Sequence, residues 1–145
     1  MTQERAAVAK SLADELRPVL LRLARELRRE AQSLGVTGGQ VALLAQIRKS
    51  PGITASELAD RERMSAPGMS GHVGRLETAG LIERQRAADR RRIGLTVTHE
   101  GAKVLANVRK RRTAWLTDHL QELTDDEREA IVAALPALER LLEVR

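Results

Sequence analysis

Five arginines and a single aspartate crowd into residues 84–92 of this chain. The stretch has a net charge of +4, while the whole 145-residue protein carries +5. Guanidinium groups are always charged, and their planar forks of donors match the oxygens of phosphate and carboxylate groups. A charge run on a loop is usually solvated surface, but a basic excess confined to one short stretch favours contact with a polyanion.

The elements around this cluster indicate how it is held. The pattern predicts strands over residues 81–84 and 93–97, which places the arginines at the tip of a hairpin. Upstream, Thr54 with Glu57 has the pattern of a capping box, and Ser65 is a further N-cap candidate. The pattern predicts short helices over 37–49, 54–61 and 65–79. Two short capped helices joined by a tight turn make a helix-turn-helix, so the first hypothesis is contact with double-stranded DNA.

Three long amphipathic helices flank this central module. They are predicted over 6–34, 98–120 and 124–144, with leucine, valine and isoleucine at three- and four-residue spacing. Pro18 and Pro136 lie inside the pattern, so each should bend its helix, or Pro18 should delay the start of the first. The apolar stripes exceed what the central module can cover. We therefore expect a bundle formed with a second copy of the chain; the alternative is that the three helices pack on each other within one monomer.

Composition bounds the class of protein. Cysteine is absent, which excludes disulfides and thiolate metal sites. One Trp with no Phe or Tyr cannot build the stacking platform of an RNA or single-strand binder. No apolar run approaches the roughly 20 residues of a membrane span, and residues 1–10 lack the apolar core of a signal peptide. We expect one domain over 1–145 in the cytoplasm, with no membrane partner.

With this order of elements established, the chain resembles the MarR (multiple antibiotic resistance regulator) family. The most specific matches are the tip Asp89-Arg90-Arg91 and the passage 93–101 that leads from strand to helix. Weaker matches in the same register lie at 53–59 and 73–82. The resemblance implies a mainly α fold with a small β-hairpin wing. In that fold a winged helix-turn-helix over 36–98 is flanked by N- and C-terminal dimerisation helices over 6–35 and 99–145.

The resemblance also implies how DNA would be held. The helix that starts at Ser65 would enter the major groove, where small residues allow close approach of the backbone and the helix N-terminus favours phosphate oxygens. Arg75 could bind guanine in a bidentate fashion; a phosphate contact or an ion pair with Glu77 or Glu62 is the alternative. His72 is either a donor to DNA or a solvent-exposed bystander. The candidate DNA-binding residues of this helix are Ser65, Pro67, Gly68, Ser70, Gly71, His72 and Arg75.

On the wing, the resemblance makes Arg91 the residue that enters the minor groove, which is narrow and most negative over A·T tracts. Asp89 would hold the Arg91 guanidinium in place. The remaining arginines would contact flanking phosphates; they are Arg84, Arg86, Arg90 and Arg92. A homodimer carries two such modules, so the operator should be a palindromic inverted repeat.

Regulation and rival functions depend on fewer residues. Family members commonly sense small aromatic or phenolic ligands in a cleft between the dimerisation helices and the DNA-binding module. Trp115 could line such a cleft, although a lone Trp on an apolar stripe is more often core. No phosphate loop, Rossmann glycines or His-Glu-x-x-His motif is present, so catalysis is not expected, nor is a cofactor or a metal site. The favoured hypothesis is that the protein is a repressor. The alternative is a protein–protein adaptor that keeps the fold without specific DNA binding.

Overall fold

The computed structural model describes residues 2–86, 89 and 91–144. Over these residues the chain forms six helices and one two-stranded antiparallel hairpin, so the expected winged-helix architecture is confirmed. In chain order the elements are α1 (Thr2–Gln32), α2 (Gly38–Lys49), α3 (Ala55–Arg61), α4 (Ala66–Thr78), β1 (Ile82–Arg86), β2 (Ile93–Val97), α5 (His99–Gln121) and α6 (Asp125–Glu143).

The hydrophobic core lies in the centre of the chain. It is formed by the inner faces of α2, α3 and α4, the hairpin, the end of α1 and the first half of α5. The inward residues that periodicity predicts on α2 and α4 are all buried, because apolar positions three or four apart share one helix face. They are Val41, Leu44, Ile47, Met69, Val73 and Leu76.

Side-chain caps begin five of the helices. The hydroxyl of each N-cap accepts a hydrogen bond from the backbone N–H three residues later, at 3.1–3.2 Å. The caps are Thr37, Thr54, Ser65, Thr98 and Thr124. The box is reciprocal at Thr37 and at Thr124. At Thr54 only the Glu57 backbone takes part, which corrects the expected capping box, because the Glu57 carboxylate contacts another element.

The wing is tied to the segment that follows α2. β1 pairs with β2 from Ile82↔Val97 to Arg86↔Ile93, so the first strand extends two residues beyond its expected end. Gly52 N–H donates to Leu95 O at 2.9 Å, and Leu95 N–H donates to Ile53 O at 2.8 Å. A Cβ added at Gly94 would lie 2.8 Å from Gly52 Cα, so this junction requires the glycine. The wing is therefore fixed to the helix-turn-helix through the middle of β2.

The terminal helices leave much of their apolar surface uncovered. α1 is continuous through Pro18, so the expectation of a later start is wrong. Leu12 on α1 is 61% exposed and Leu142 on α6 is 88% exposed. No described residue of α6 is buried. Within a single chain α1 packs against α5, but the apolar side chains named above remain exposed. No helix in the described part is long and apolar enough to cross a membrane.

Candidate nucleic-acid interface

The outer face of α4 combines small side chains with one long cation. The residues from the Ser65 cap to Gly68 are exposed, as are Ser70, Gly71 and Arg75. His72 is half-buried. The opposite face of the helix is closed against the core by its buried Met, Val and Leu. Helix α4 therefore presents an N-terminal surface with little side-chain bulk, followed one turn later by a guanidinium.

Arg75 contacts His72 rather than an acid. Its Nη2 lies 3.0 Å from His72 Nδ1. Because a guanidinium can only donate, Nδ1 must accept, and the neutral ring then carries its hydrogen on Nε2. The expected alternative, an ion pair of Arg75 with Glu77 or Glu62, does not occur among the described residues, since Glu77 is bound to Arg84. Two donors thus remain grouped on the exposed side of α4.

Two wing arginines are paired with acids of the helix-turn-helix. Arg84 Nε on β1 lies 2.7 Å from Glu77 Oε2 in the last turn of α4. Arg92 Nη2, just before β2, lies 2.6 Å from Glu57 Oε1 in the first turn of α3. All four side chains are 40–50% exposed. Each side of the hairpin is therefore joined to a different helix of the module.

At the described part of the wing tip, Asp89 contacts the main chain of the two arginines Arg91 and Arg92. Asp89 Oδ1 accepts a hydrogen bond from Arg91 N–H at 3.2 Å, and Asp89 O accepts one from Arg92 N–H at 3.0 Å. In the described part of the chain no ion pair joins the Asp89 carboxylate to the Arg91 guanidinium, so the expected contact is replaced by one to the main chain. Arg86 and Arg91 are exposed. Arg90, another predicted wing residue, lies outside the described residues.

A groove of about 1160 Å³ runs between α2 and α5. Its floor is apolar, with Val41, Leu105, Val108 and Leu116 among the lining residues. Five cations and one acid, Asp118, also line it; the cations are Arg48, Lys49, Arg109, Lys110 and Arg112. Trp115 is not among the described lining residues; its half-buried ring stacks on His119 with centroids 3.9 Å apart. The groove thus lies between α5 and the central module, and Trp115 lies outside its described lining.

Helix α5 also contains a run of four cations, residues 109–112, which contacts both the groove and α1. Arg109 and Lys110 line the groove. Arg112 is half-buried and donates from Nε to Leu27 O of α1 at 3.0 Å, and Arg111 lies 3.9 Å from Glu30 of α1. No group of three or more potential metal ligands occurs within the described residues.

The residues that sequence reasoning missed are the acids. The sequence pattern predicts a helix-cap role for Glu57, and it offers Glu77 only as a partner for Arg75. A carboxylate in the last turn of a helix, followed by an arginine on the next strand, is a signal that could have revealed the Glu77–Arg84 pair. The Glu57–Arg92 pair has no comparable local signal, because its partners meet only in the folded chain.

Comparison with known proteins places the same elements in a named group. The family sequence model described as MarR family matches residues 34–93 of this chain. The chain is 33% identical to a Pseudomonas aeruginosa protein assigned as a transcriptional regulator, whose crystal structure is known. The structural alignment covers 94% of this chain and 97% of that protein, with a TM-score of 0.84. It is 30% identical to MarR, whose crystal structure aligns over 89% of this chain and 98% of the MarR chain, with a TM-score of 0.70. It is 32% identical to the HTH-type transcriptional repressor MdtR of Bacillus subtilis, over 70% of this chain and 66% of that one.

Proposed function

The chain belongs to the MarR family of DNA-binding transcriptional regulators, and on that basis we propose that it is a homodimeric repressor of inverted-repeat operators. The family and the relatives named above are regulators rather than enzymes. The observation that carries the proposal is the Glu77–Arg84 ion pair of 2.7 Å, which joins the exposed helix α4 to a wing with further exposed arginines. This arrangement suits simultaneous contact with two grooves of a duplex.

Helix α4 reads the major groove in this proposal. The small residues from Ser65 to Gly71 let the helix N-terminus approach phosphate oxygens, to which backbone N–H groups and the helix dipole are attracted. Arg75 then reaches the base edges, where a bidentate contact to guanine discriminates by about 1–3 kcal/mol. Because the Nδ1 of His72 accepts from Arg75, its Nε2–H donates to the DNA backbone or to a base.

The wing reads the minor groove. Arg91 is the inserted residue, and its main chain is held by the Asp89 carboxylate. A guanidinium in this groove senses width and negative potential more than base identity, so A·T-rich flanks should be preferred. Arg86, and by resemblance Arg90, contact the adjacent phosphates.

Dimerisation occurs through α1 and the C-terminal helices. Exposed apolar side chains on α1 and α6 support this, since a monomer rarely leaves such large apolar patches in water. Leu12, Leu21, Leu135 and Leu141 are 61%, 58%, 48% and 59% exposed. Two-fold symmetry then presents two modules to half-sites about one helical turn apart. The naming of MdtR as a repressor supports repression as the mode of action, in the cytoplasm where the operator DNA lies.

A small aromatic or phenolic effector releases the DNA by binding in the groove between α2 and α5. The apolar floor suits an aromatic ring, and the five cations around it favour a ligand that carries an acidic group. A ligand wedged between α2 of the module and α5 would change the spacing of the two modules in the dimer. Substituted benzoates and phenols, titrated into the preformed DNA complex, test this step.

The experiment that tests the function compares duplex and single-stranded DNA of equal length. Genomic fragments retained by the protein supply the sequences. Binding that is selective for duplex, weakens steeply with salt and protects an inverted repeat supports the proposal. Equal binding to both forms, or none to either, overturns it.

A further inference from the structure

We propose that Glu57 and Glu77 are positioning residues for DNA recognition, which set the angle of the wing by holding Arg92 and Arg84 away from phosphate. The proposal rests on the DNA-binding function proposed above. It assigns a role to two acids at a surface where acids would be expected to weaken binding. It also divides the wing arginines into two that hold the wing and others that contact DNA.

The first observation is the use of the Glu57 carboxylate. Thr54 caps α3 and accepts from Glu57 N–H at 3.1 Å, the arrangement in which a Glu side chain normally returns to the cap backbone. At Thr37 and at Thr124 that return contact is present. At Thr54 it is absent, and the carboxylate instead lies 2.6 Å from Arg92 Nη2. The local cap is incomplete while a contact between α3 and the wing is made.

The second observation is the position of the two pairs on the hairpin. Arg84 lies in the middle of β1, opposite Leu95, and Arg92 lies immediately beyond the last paired residues, Arg86 and Ile93. One pair joins β1 to α4 and the other joins the far end of the hairpin to α3. Since Leu95, the partner of Arg84 in the sheet, is also hydrogen-bonded to Gly52 and Ile53, the wing is held by three contacts with the rest of the module.

The direction in which DNA affinity changes when a carboxylate is removed tests the proposal. Removing an acid from a surface that meets DNA normally strengthens binding, because one repulsion is lost. If Glu57 and Glu77 position the wing, removing either carboxylate weakens binding instead, since Arg91 no longer meets the minor groove. If Arg84 and Arg92 transfer to phosphate in the complex, removing the acids frees them and binding strengthens.

The test uses Glu57→Gln and Glu77→Gln, with Glu83→Gln as the matched control. Glu83 is also exposed on β1 and loses the same charge, but its carboxylate accepts only from Gln85, at 3.3 Å, among the described contacts. Affinity is measured for the inverted-repeat duplex that the wild-type protein recovers from genomic fragments, at several salt concentrations. Melting temperatures check that the isosteric variants fold, and exposed ion pairs contribute little to folding stability.

We expect both variants to bind about threefold to tenfold more weakly than wild type, with Glu83→Gln equal to wild type or slightly tighter. Reversing the pair, with Glu77→Arg and Arg84→Glu together, should recover binding lost in Glu77→Gln. Tighter binding by Glu57→Gln or Glu77→Gln, with a salt slope steeper by about 0.9 for each freed arginine, would overturn the positioning role and leave the proposed function intact. A wild-type protein that recovers no duplex overturns both.

Discussion

Arg92 Nη2 lies 2.6 Å from Glu57 Oε1, so the wing of this protein is bound to α3, the helix that precedes α4. Both side chains are partly exposed, at 50% and 40%, and such pairs contribute only about 0–1 kcal/mol to stability. This contact therefore serves to position the wing more than to stabilise the fold. It fixes the hairpin relative to α3, while the Glu77–Arg84 pair fixes it relative to α4.

Replacing Arg91 with Ala should weaken binding to the operator duplex. The expected loss is about 1–3 kcal/mol, because the guanidinium is lost from both wings of the proposed dimer while the backbone contact with Asp89 is retained. The slope of log affinity against log salt should fall by about 0.9 per wing. Fluorescence anisotropy with labelled duplex measures both quantities. Arg17→Ala on α1, which removes the same charge far from the wing in sequence, is the control; an unchanged salt slope in Arg91→Ala would remove this residue from the interface.

Replacing Leu135 with Asp should dissociate the proposed dimer. The side chain is 48% exposed on α6 of a single chain, and a partner helix that covers it would bury a charge in the variant. We expect dimer dissociation to rise about 100-fold or more, which corresponds to about 3 kcal/mol. Sedimentation velocity over a concentration series reports the change, and Glu139→Gln on the same helix serves as the comparison. A variant that sediments as wild type at every concentration would exclude this face from the interface.

Replacing Arg128 with Ala should destabilise the corner between α5 and α6. Its Nη1 donates to Leu120 O at 3.0 Å and to Leu123 O at 2.6 Å, and its Nη2 contacts Asp125. Hydrogen bonds from charged donors are worth about 1.5–3 kcal/mol each at most, and this side chain is partly exposed, so we expect a loss of about 1–2 kcal/mol. Urea unfolding measures it. Arg140→Ala, a substitution at an exposed arginine later on α6, should change stability by less than about 0.5 kcal/mol.

Replacing Gly101 with Ala should be severely destabilising. A Cβ at this buried position in the first turn of α5 would overlap Leu81 O and lie 2.7 Å from Val97 Cγ1. The strand and helix would have to separate, at a cost of about 3 kcal/mol or more. Gly39→Ala on α2 is the contrast, since its Cβ would have only Thr37 Oγ1 nearby, at 3.8 Å, and helix propensity favours Ala by about 0.5–1 kcal/mol. Thermal melts of the two variants should therefore shift in opposite directions; equal shifts would mean that the packing around Gly101 relaxes freely.

The elements were predictable because their signals are local. Ser65, Thr98 and Thr124 each cap the predicted helix, since a cap depends on a hydroxyl and an N–H three residues apart. The end of β1 was less predictable. Its last two residues, Gln85 and Arg86, have no strand preference of their own and are extended because β2 pairs with them.

The candidate site divides along the same line. Residue types and spacing by themselves determined a helix-turn-helix followed by an arginine-rich hairpin, and therefore a class of partner, because charge and periodicity are properties of the chain. Only the tertiary structure decided which arginines of the cluster are engaged. Arg84 and Arg92 meet Glu77 and Glu57, and Asp89 turns to the main chain of Arg91. Ion pairs form between whichever charges folding brings within about 4 Å, and residues from three different elements acquire that distance only when the core has packed.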